Sequence, residues 1–158
     1  MRKMVFKAGL TFPPYGPDHL RVIELRAGED ELEAVQRYMS HDPTLSNYVG
    51  LVDLPEAVWA NRRFRLCWRH IGGRIAVDVS LARTQRLAEI RLDHDQRLEA
   101  SDKDKARLDD VGTPEQIAAM KAYRQALRDL PATAQADIAA LATPEQLDQY
   151  QPPWPVKP

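Results

Sequence analysis

Hydrophobic residues alternate with polar ones in the first half of the chain and recur at helical spacing in the second half. From Met4 to about Asp78 the sequence is rich in β-formers, aromatic residues and turn residues. From Ser80 to Leu147 it contains a single glycine and consists mostly of alanine, leucine, arginine, glutamine and acidic residues. This change predicts an α+β fold in which a small β-rich head precedes a helical region.

The head contains three candidate strands and one short helix. The strands are predicted over residues 3–9, 19–26 and 47–55, with a proline- and glycine-rich loop over residues 13–17. Residues 28–40 are predicted to form an amphipathic helix with acidic residues at its start, where they favour the helix dipole. Leu32, Val35 and Met39 recur at helical spacing and are predicted to form its apolar side.

A β-hairpin is predicted within "FRLCWRHIGGRIAVDVS", residues 64–80. Two alternating runs flank Gly72-Gly73, and both positions of a diglycine turn can take positive φ. The apolar positions of the two runs are the predicted structural core of the head: Phe64, Leu66, Trp68, Ile75 and Val77.

Two facing stripes predict an antiparallel helical hairpin after the head. Ser80 is the expected cap of a long, charged helix that reaches about Leu108. Gly112 suits the stop of this helix, while Thr113 and Pro114 suit the start of the next one. The first stripe is Leu81, Leu87, Ile90, His94 and Leu98. The second stripe is Ile117, Met120, Tyr123 or Arg124, Leu127 and Leu130.

Pro131 is expected to end the second helix and to lead into a polar, alanine-rich connector. Thr143-Pro144-Glu145 repeats the helix-start chemistry of Thr113-Pro114-Glu115, which predicts a last short helix up to about Tyr150. The predicted organisation is therefore an α+β head (1–79), a helical hairpin arm (80–131), and a short helix with a proline-rich C-terminal tail (132–158).

Composition limits the classes of partner. The 158 residues carry a net charge of −1, and acidic and basic residues are interleaved along the chain. Nucleic acids and anionic membranes select for basic surfaces, so neither is expected as the main partner. No apolar run is long enough for a membrane span, and the first residues lack the pattern of a signal peptide. We expect a cytoplasmic protein, and the lone Cys67 excludes an internal disulfide.

No pattern of catalytic or metal-binding residues emerges from the sequence. The four histidines, His19, His41, His70 and His94, are scattered, and there is no Cys-x-x-Cys pair. Cys67 lies between apolar residues in a predicted strand, which favours a buried thiol. Gly72-Gly73 precedes a strand, so it offers no helix N-terminus for a phosphate. We expect neither enzyme activity, a metal nor a cofactor.

The C-terminal tail, "QPPWPVKP", places a tryptophan among prolines. Proline favours an extended backbone, which loses little entropy when it docks, and tryptophan is enriched at binding hot spots. Two interpretations are open for Trp154: it contacts a partner, or it folds back onto its own domain as a clasp. The same two alternatives apply to the end of the second helix, where Leu127 and Leu130 either pack on the first helix or join a docking patch.

Two stretches resemble small proteins of tailed phages and prophages. Residues 64–91 follow the order Phe-Arg-x-x-Trp, a short turn, Val-Asp, then Ala-Arg and a long helix. "KAYRQALRDLP" followed by "WPVKP" resembles the C-terminal signature of phage tail assembly chaperone and tail-fibre assembly families. The matching positions are Phe64, Arg65, Trp68, Val77, Asp78, Ala82, Arg83, Tyr123, Arg124, Leu127, Arg128, Asp129, Pro131, Trp154 and Pro155. The chain departs from the pattern at Asp102-Lys103, where many relatives have Asp-Trp.

The resemblance implies a non-enzymatic assembly factor that binds a phage tail or tail-fibre protein through its helical arm and C-terminal tail, in the host bacterial cytoplasm. The candidate partner-binding residues are Tyr123, Leu127, Arg128, Asp129, Leu130, Trp154 and Pro155. The alternative is a structural virion component retained at the tail tip, fibre or baseplate. Self-association is also open, and a third hypothesis is an enzyme or regulator that uses Cys67 or a histidine.

Overall fold

A computed structural model describes residues 2–8, 20–42, 45–53, 62–72 and 74–158. The chain divides into two units, Met1–Ala82 and Arg83–Pro158. The predicted α+β class is confirmed, because strands precede long helices along the chain. The loop predicted over residues 13–17, His19 and Gly73 lie outside the described residues. The three-part division at residues 79 and 131 stays a prediction.

An antiparallel sheet with the order β2-β1-β3 organises the first unit. Its strands are β1 (Arg2–Ala8), β2 (Leu20–Glu24) and β3 (Leu45–Asp53). In the central strand β1, Lys3 lies opposite Glu24 of β2, and the Lys3 ammonium pairs with the Glu24 carboxylate at 3.0 Å. Only 3% of Lys3 is exposed. The pairing offsets the desolvation of this buried charge.

The two faces of β1 contact different partners because successive side chains of a strand point in opposite directions. Met4 and Phe6 pack with α1 (Glu31–His41), which Asp30 caps by accepting hydrogen bonds from two backbone N–H groups. Val5 packs instead with Trp68 and Ile75. The sheet thus lies between a helix and a hairpin.

The predicted apolar side of α1 is wrong in two of its three positions. Leu32 is 65% exposed and Met39 is 37% exposed, whereas Ala34 and Val35 are buried. The helix is rotated so that Ala34 and Val35 face Met4 and Phe6.

The predicted β-hairpin is confirmed as β4 (Trp68–Ile71) paired with β5 (Arg74–Val77), with Trp68 opposite Val77. Gly72 has φ of +57°, as the turn requires. The predicted alternation before Trp68 is wrong, since Arg65–Cys67 form a 3₁₀ turn. Consecutive Cys67 and Trp68 are therefore both buried. Of the expected core positions, Phe64, Trp68 and Ile75 are buried, while Leu66 and Val77 are partly buried.

Three helices follow the hairpin: α2 (Val79–Val111), α3 (Pro114–Ala140) and α4 (Pro144–Gln149). The expected cap Ser80 is wrong, because the Asp78 carboxylate accepts the hydrogen bond from the Leu81 N–H at the start of α2. Helix α3 begins as predicted, with Thr113 as cap and Pro114 in its first turn, and the repeated chemistry at Thr143 begins α4. Within the described part of the chain, no helix is both long enough and apolar enough to cross a membrane.

The expected connector after Pro131 is wrong, since Pro131 lies inside α3 and the helix continues to Ala140. Proline removes one backbone hydrogen bond from a helix. The residues beyond it compensate, because they are mostly alanine, the strongest helix former, and because Ala134 and Ile138 are fully buried. Packing and alanine propensity together outweigh the proline.

Replacing Gly112 with alanine is expected to destabilise the α2–α3 turn. A Cβ at this position would lie 2.5 Å from the Leu108 carbonyl oxygen, which accepts the Gly112 N–H at 2.8 Å. Relieving such overlap costs about 1–3 kcal/mol. Chemical denaturation should show this loss for Gly112→Ala, whereas Asp110→Ala, an exposed change two residues earlier, should leave the free energy of unfolding within about 0.5 kcal/mol. An unchanged or raised stability of Gly112→Ala would contradict the close packing of this turn.

Candidate functional site

A narrow seam joins α2 and α3 in the second unit. Met120, Tyr123 and Leu127 of α3 form a buried cluster against Leu98 and Leu108 of α2. Further along the seam, Ile90 of α2 and Leu130, Ala134 and Ile138 of α3 are buried. Most other positions of both helices are exposed. The hairpin therefore depends on one line of contacts.

Arg124 inserts a charge into this seam. The side chain is buried, and its Nη1 donates to the Leu98 carbonyl at 3.3 Å, to the Ser101 hydroxyl, and to the Asp102 carboxylate at 2.7 Å. Ser101 is itself buried and donates to the same Leu98 carbonyl at 2.6 Å. Asp102, which precedes the position where the sequence departs from the family pattern, thus supplies the counter-charge. Removing one member would leave a buried polar group without its partner.

Two arginines of α2 hold the ends of the following helices. Arg83 donates two hydrogen bonds to the carbonyl of Leu141, the C-cap of α3, at 3.1 and 2.7 Å. Arg86 donates to the carbonyl of Tyr150, the C-cap of α4, at 2.8 Å. Helix C-termini leave carbonyls without intrahelical partners and attract positive charge. The sequence analysis assigned this role to neither arginine, although Arg83, Arg86 and Ile90 recur at helical spacing.

Tyr150 anchors the start of the tail through its side chain as well. Its hydroxyl donates to the Asp137 carboxylate of α3 at 2.7 Å. Partial burial raises the pKa of Tyr150 to about 12, and the hydrogen bond and charge of Asp137 act in the same direction. The tail therefore leaves α4 from a point that is held by both its backbone and its side chain.

Trp154 folds back onto the hairpin. Its ring packs against the cluster of Met120, Tyr123 and Leu127, and the Arg97 guanidinium lies over the ring with its Cζ 4.4 Å from the centroid. This is the geometry of a cation–π contact. Of the two open interpretations, the structure shows Trp154 in an intramolecular clasp, with its side chain partly exposed.

Lys157 closes the clasp near the end of the tail. Its Nζ lies 2.6 Å from a carboxylate oxygen of Asp104 in α2, and this hydrogen bond and charge hold the pKa of Asp104 below its usual value. Val156, between the two contacts, is 91% exposed. We call the surface that receives the tail the tail seat, defined by Arg97, Asp104, Met120, Tyr123 and Leu127.

The tail runs along α2 from Tyr150 to Lys157. The two residues of α2 that contact these ends, Arg86 and Asp104, are separated by about 27 Å of helix, at about 1.5 Å per residue. The tail is not fully extended, because the Trp154 N–H donates to the Pro152 carbonyl at 2.8 Å and closes a tight turn at Pro153. The long side chains of Arg86 and Lys157 therefore cover part of the distance. Pro152 is buried, and Pro155 restricts the backbone between Trp154 and Lys157.

The predicted partner-binding residues fall into three groups. Tyr123, Leu127 and Leu130 are buried in the seam. Arg128 and Asp129 are exposed on the outer side of α3, where Asp129 accepts a hydrogen bond from Gln125 at 2.9 Å. Trp154 and Pro155 are partly exposed. The structure therefore brings Tyr123, Leu127 and Trp154 together and directs Arg128 and Asp129 to solvent.

The residues considered for catalysis or metal binding are dispersed. Cys67 is fully buried, His70 is exposed, and His41 and His94 lie on different helices. Over the described ranges, no three histidine, cysteine, aspartate or glutamate residues group in a way that could hold a metal ion.

Trp154→Ala is expected to lower the free energy of unfolding of the second unit by about 1–2 kcal/mol. This is less than the 3–5 kcal/mol typical of a fully buried tryptophan, because the ring is partly exposed. Thermal and urea denaturation measure the loss, and Val156→Ala, an exposed apolar truncation two residues away, is the matched control. Equal stability of both variants and the wild type would mean that the clasp does not form in solution.

The Tyr150 hydroxyl is expected to stay protonated until about pH 12. The ordinary tyrosine pKa is about 10, so its contribution to stability is complete below that pH and is lost as the pH rises towards 12. Absorbance titration at 295 nm of the wild type minus Tyr150→Phe isolates this group. A midpoint near 10 would show that the contact with Asp137 is absent.

Comparison with known proteins finds a similarity in the second unit. Residues 87–158, a little under half of the chain, match the family model described as phage tail assembly chaperone protein. Residues 64–83, which also carry the expected resemblance, precede this match. No curated protein and no solved structure matches the chain. The resemblance is thereby confirmed over residues 87–158, which are similar to phage tail assembly chaperone proteins and include the tail seat and the tail.

Proposed function

We propose that this chain is a non-enzymatic assembly factor that binds a phage tail or tail-fibre protein in the host cytoplasm before the tail is complete. The observation that carries the proposal is the family match, which includes most of α2 and all of α3, α4 and the tail. The family is described as an assembly chaperone rather than as an enzyme. Binding would shield apolar or trimerising surfaces of the partner from premature association.

The contact surface lies on the arm, on the surface where the tail is seated. Tyr123, Leu127 and Leu130 hold the hairpin together, so they support this surface from beneath. Exposed Arg128 and Asp129 supply polar contacts, and the apolar surface that Trp154 and Pro155 partly cover supplies the aromatic-binding contact. Aromatic anchors surrounded by complementary charges are typical of protein interfaces.

The charge distribution supports a protein partner. The chain has a net charge of −1 with both signs interspersed, and such a surface gives little attraction for polyanions. A protein partner with its own mixed charges is recognised through local complementarity, which governs specificity and the rate of association.

The first test is affinity co-purification with the tail and tail-fibre proteins of the phage or prophage that encodes this chain, each co-expressed with it. We expect one of them to be retained. Arg128→Glu should reduce retention about ten-fold, because it reverses a charge on the proposed contact surface. Arg91→Glu, the same charge change at an exposed position of α2, should leave retention unchanged. Retention of no tail protein by the wild type would contradict the proposal.

Mass spectrometry of purified infectious particles then separates the assembly factor from the alternative. Absence of this chain from particles, together with binding in the lysate, is expected for a factor released before maturation. Stoichiometric peptides from both units would instead make it a structural component of the virion.

A further inference from the structure

The tail seat makes three kinds of contact with the tail: apolar, cation–π and ionic. The apolar cluster of Met120, Tyr123 and Leu127 receives an aromatic ring. Arg97 covers that ring from the other helix. Asp104, seven residues or about two turns further along α2, pairs with a cation three residues after the ring. The seat thus matches an aromatic-x-x-cation segment, which the chain's own Trp154-Pro155-Val156-Lys157 supplies.

The tail does not fill the space that surrounds it. A cavity of about 480 Å³ lies beside Lys157 and Pro158 and is lined by Leu108, Ala119 and Met120, with Arg107 and Glu115 at its charged edge. A second cavity of about 230 Å³ lies beside Pro155, between Ser101 and Tyr123. Val156 points away from the protein surface and is 91% exposed. Space therefore remains beside the seated tail for side chains that the tail does not supply.

We infer that the C-terminal tail is an internal occupant of the site that recognises the partner. The occupant that replaces it is a proline-flanked segment of the tail or tail-fibre protein, with an aromatic residue followed three positions later by lysine or arginine. This inference rests on the proposed function and specifies its contact. Two observations support the inference: Asp104 pairs with the Lys157 ammonium, and the Trp154 ring lies under the Arg97 guanidinium. Both contacts are made by a bound segment that has the chemistry inferred for the partner.

An attached occupant competes strongly with a free one. A segment joined to its site by a short linker has an effective concentration in the millimolar range. The apparent affinity for an outside segment falls by the fraction of molecules in which the seat is empty. Weakening the tail without changing the seat should therefore strengthen binding of an outside segment.

The experiment uses the full chain and a fluorescein-labelled peptide, QYQPPWPVKP, which copies residues 149–158. The variant Trp154→Ala/Lys157→Ala should bind this peptide about ten-fold more tightly than the wild type in fluorescence anisotropy, since the competing tail has lost both anchors. Lys157→Ala alone, an exposed change that leaves the packed ring in place, should give a smaller increase. Val156→Ala is the matched control and should bind as the wild type does. Equal binding by all four proteins, or no binding by any, would overturn the inference.

A charge exchange tests the seat itself. In the Trp154→Ala/Lys157→Ala background, Asp104→Lys should weaken binding of the peptide about five-fold, the upper range for an exposed pair. The peptide QYQPPWPVEP should recover this loss. Asp110→Lys, which lies on another face of α2, should change neither affinity. If the Asp104→Lys protein binds the two peptides with equal affinity, Asp104 does not recognise the cation and the assignment of the seat is wrong.

Co-purification separates the inference from the proposed function. The weakened-tail variant should retain more of the tail or tail-fibre protein than the wild type. Equal retention by both would leave the assembly role standing but place the partner elsewhere, which would overturn the inference. If neither protein retains the tail or tail-fibre protein, the proposed function is wrong. The inferred origin of the outside segment is then wrong as well, even where the peptide binds as expected.

Discussion

The buried guanidinium of Arg124 sets the register of the second unit. A narrow apolar seam allows α2 and α3 to shift along each other, because leucine and alanine contacts are similar from one turn to the next. A buried charge does not, since it requires its partners at fixed positions. Arg124 has them only where Leu98, Ser101 and Asp102 lie opposite. That register in turn places Met120, Tyr123 and Leu127 where the Trp154 ring meets them.

The remaining contacts extend this alignment along α2. Arginines at its beginning hold the C-termini of α3 and α4, and Arg97 and Asp104 hold the tail. Almost all of these contacts use side chains of α2 against backbone carbonyls or single side chains of the later segments. Such contacts are individually modest and reversible, which suits a segment that exchanges with a partner.

Much of this arrangement follows from local patterns in the sequence. The hairpin around Gly72 and the caps at Thr113 and Thr143 depend on residues a few positions apart, so they could be predicted. The continuation of α3 past Pro131 could not be predicted, because it depends on the burial of Ala134 and Ile138 in the folded unit. The 3₁₀ turn before Trp68 and the rotation of α1 likewise depend on packing in the folded unit. The seat was inaccessible to sequence reasoning since it joins residues some 30–60 positions apart.

Arg83, Arg86, Arg97 and Asp104 of α2 contact Leu141, Tyr150, Trp154 and Lys157, in the same order along the chain. The spacing of these four residues in α2 therefore fixes the positions of the segments that follow α3. An insertion of one residue between Arg86 and Asp104 would rotate Asp104 by about 100° and move it about 1.5 Å along the axis. The tail, which is held at Tyr150, Trp154 and Lys157, would then lose its contact with Asp104. Relatives whose α2 differs in length should therefore carry a compensating change of whole helical turns, or a tail of altered length, and the two segments should vary together.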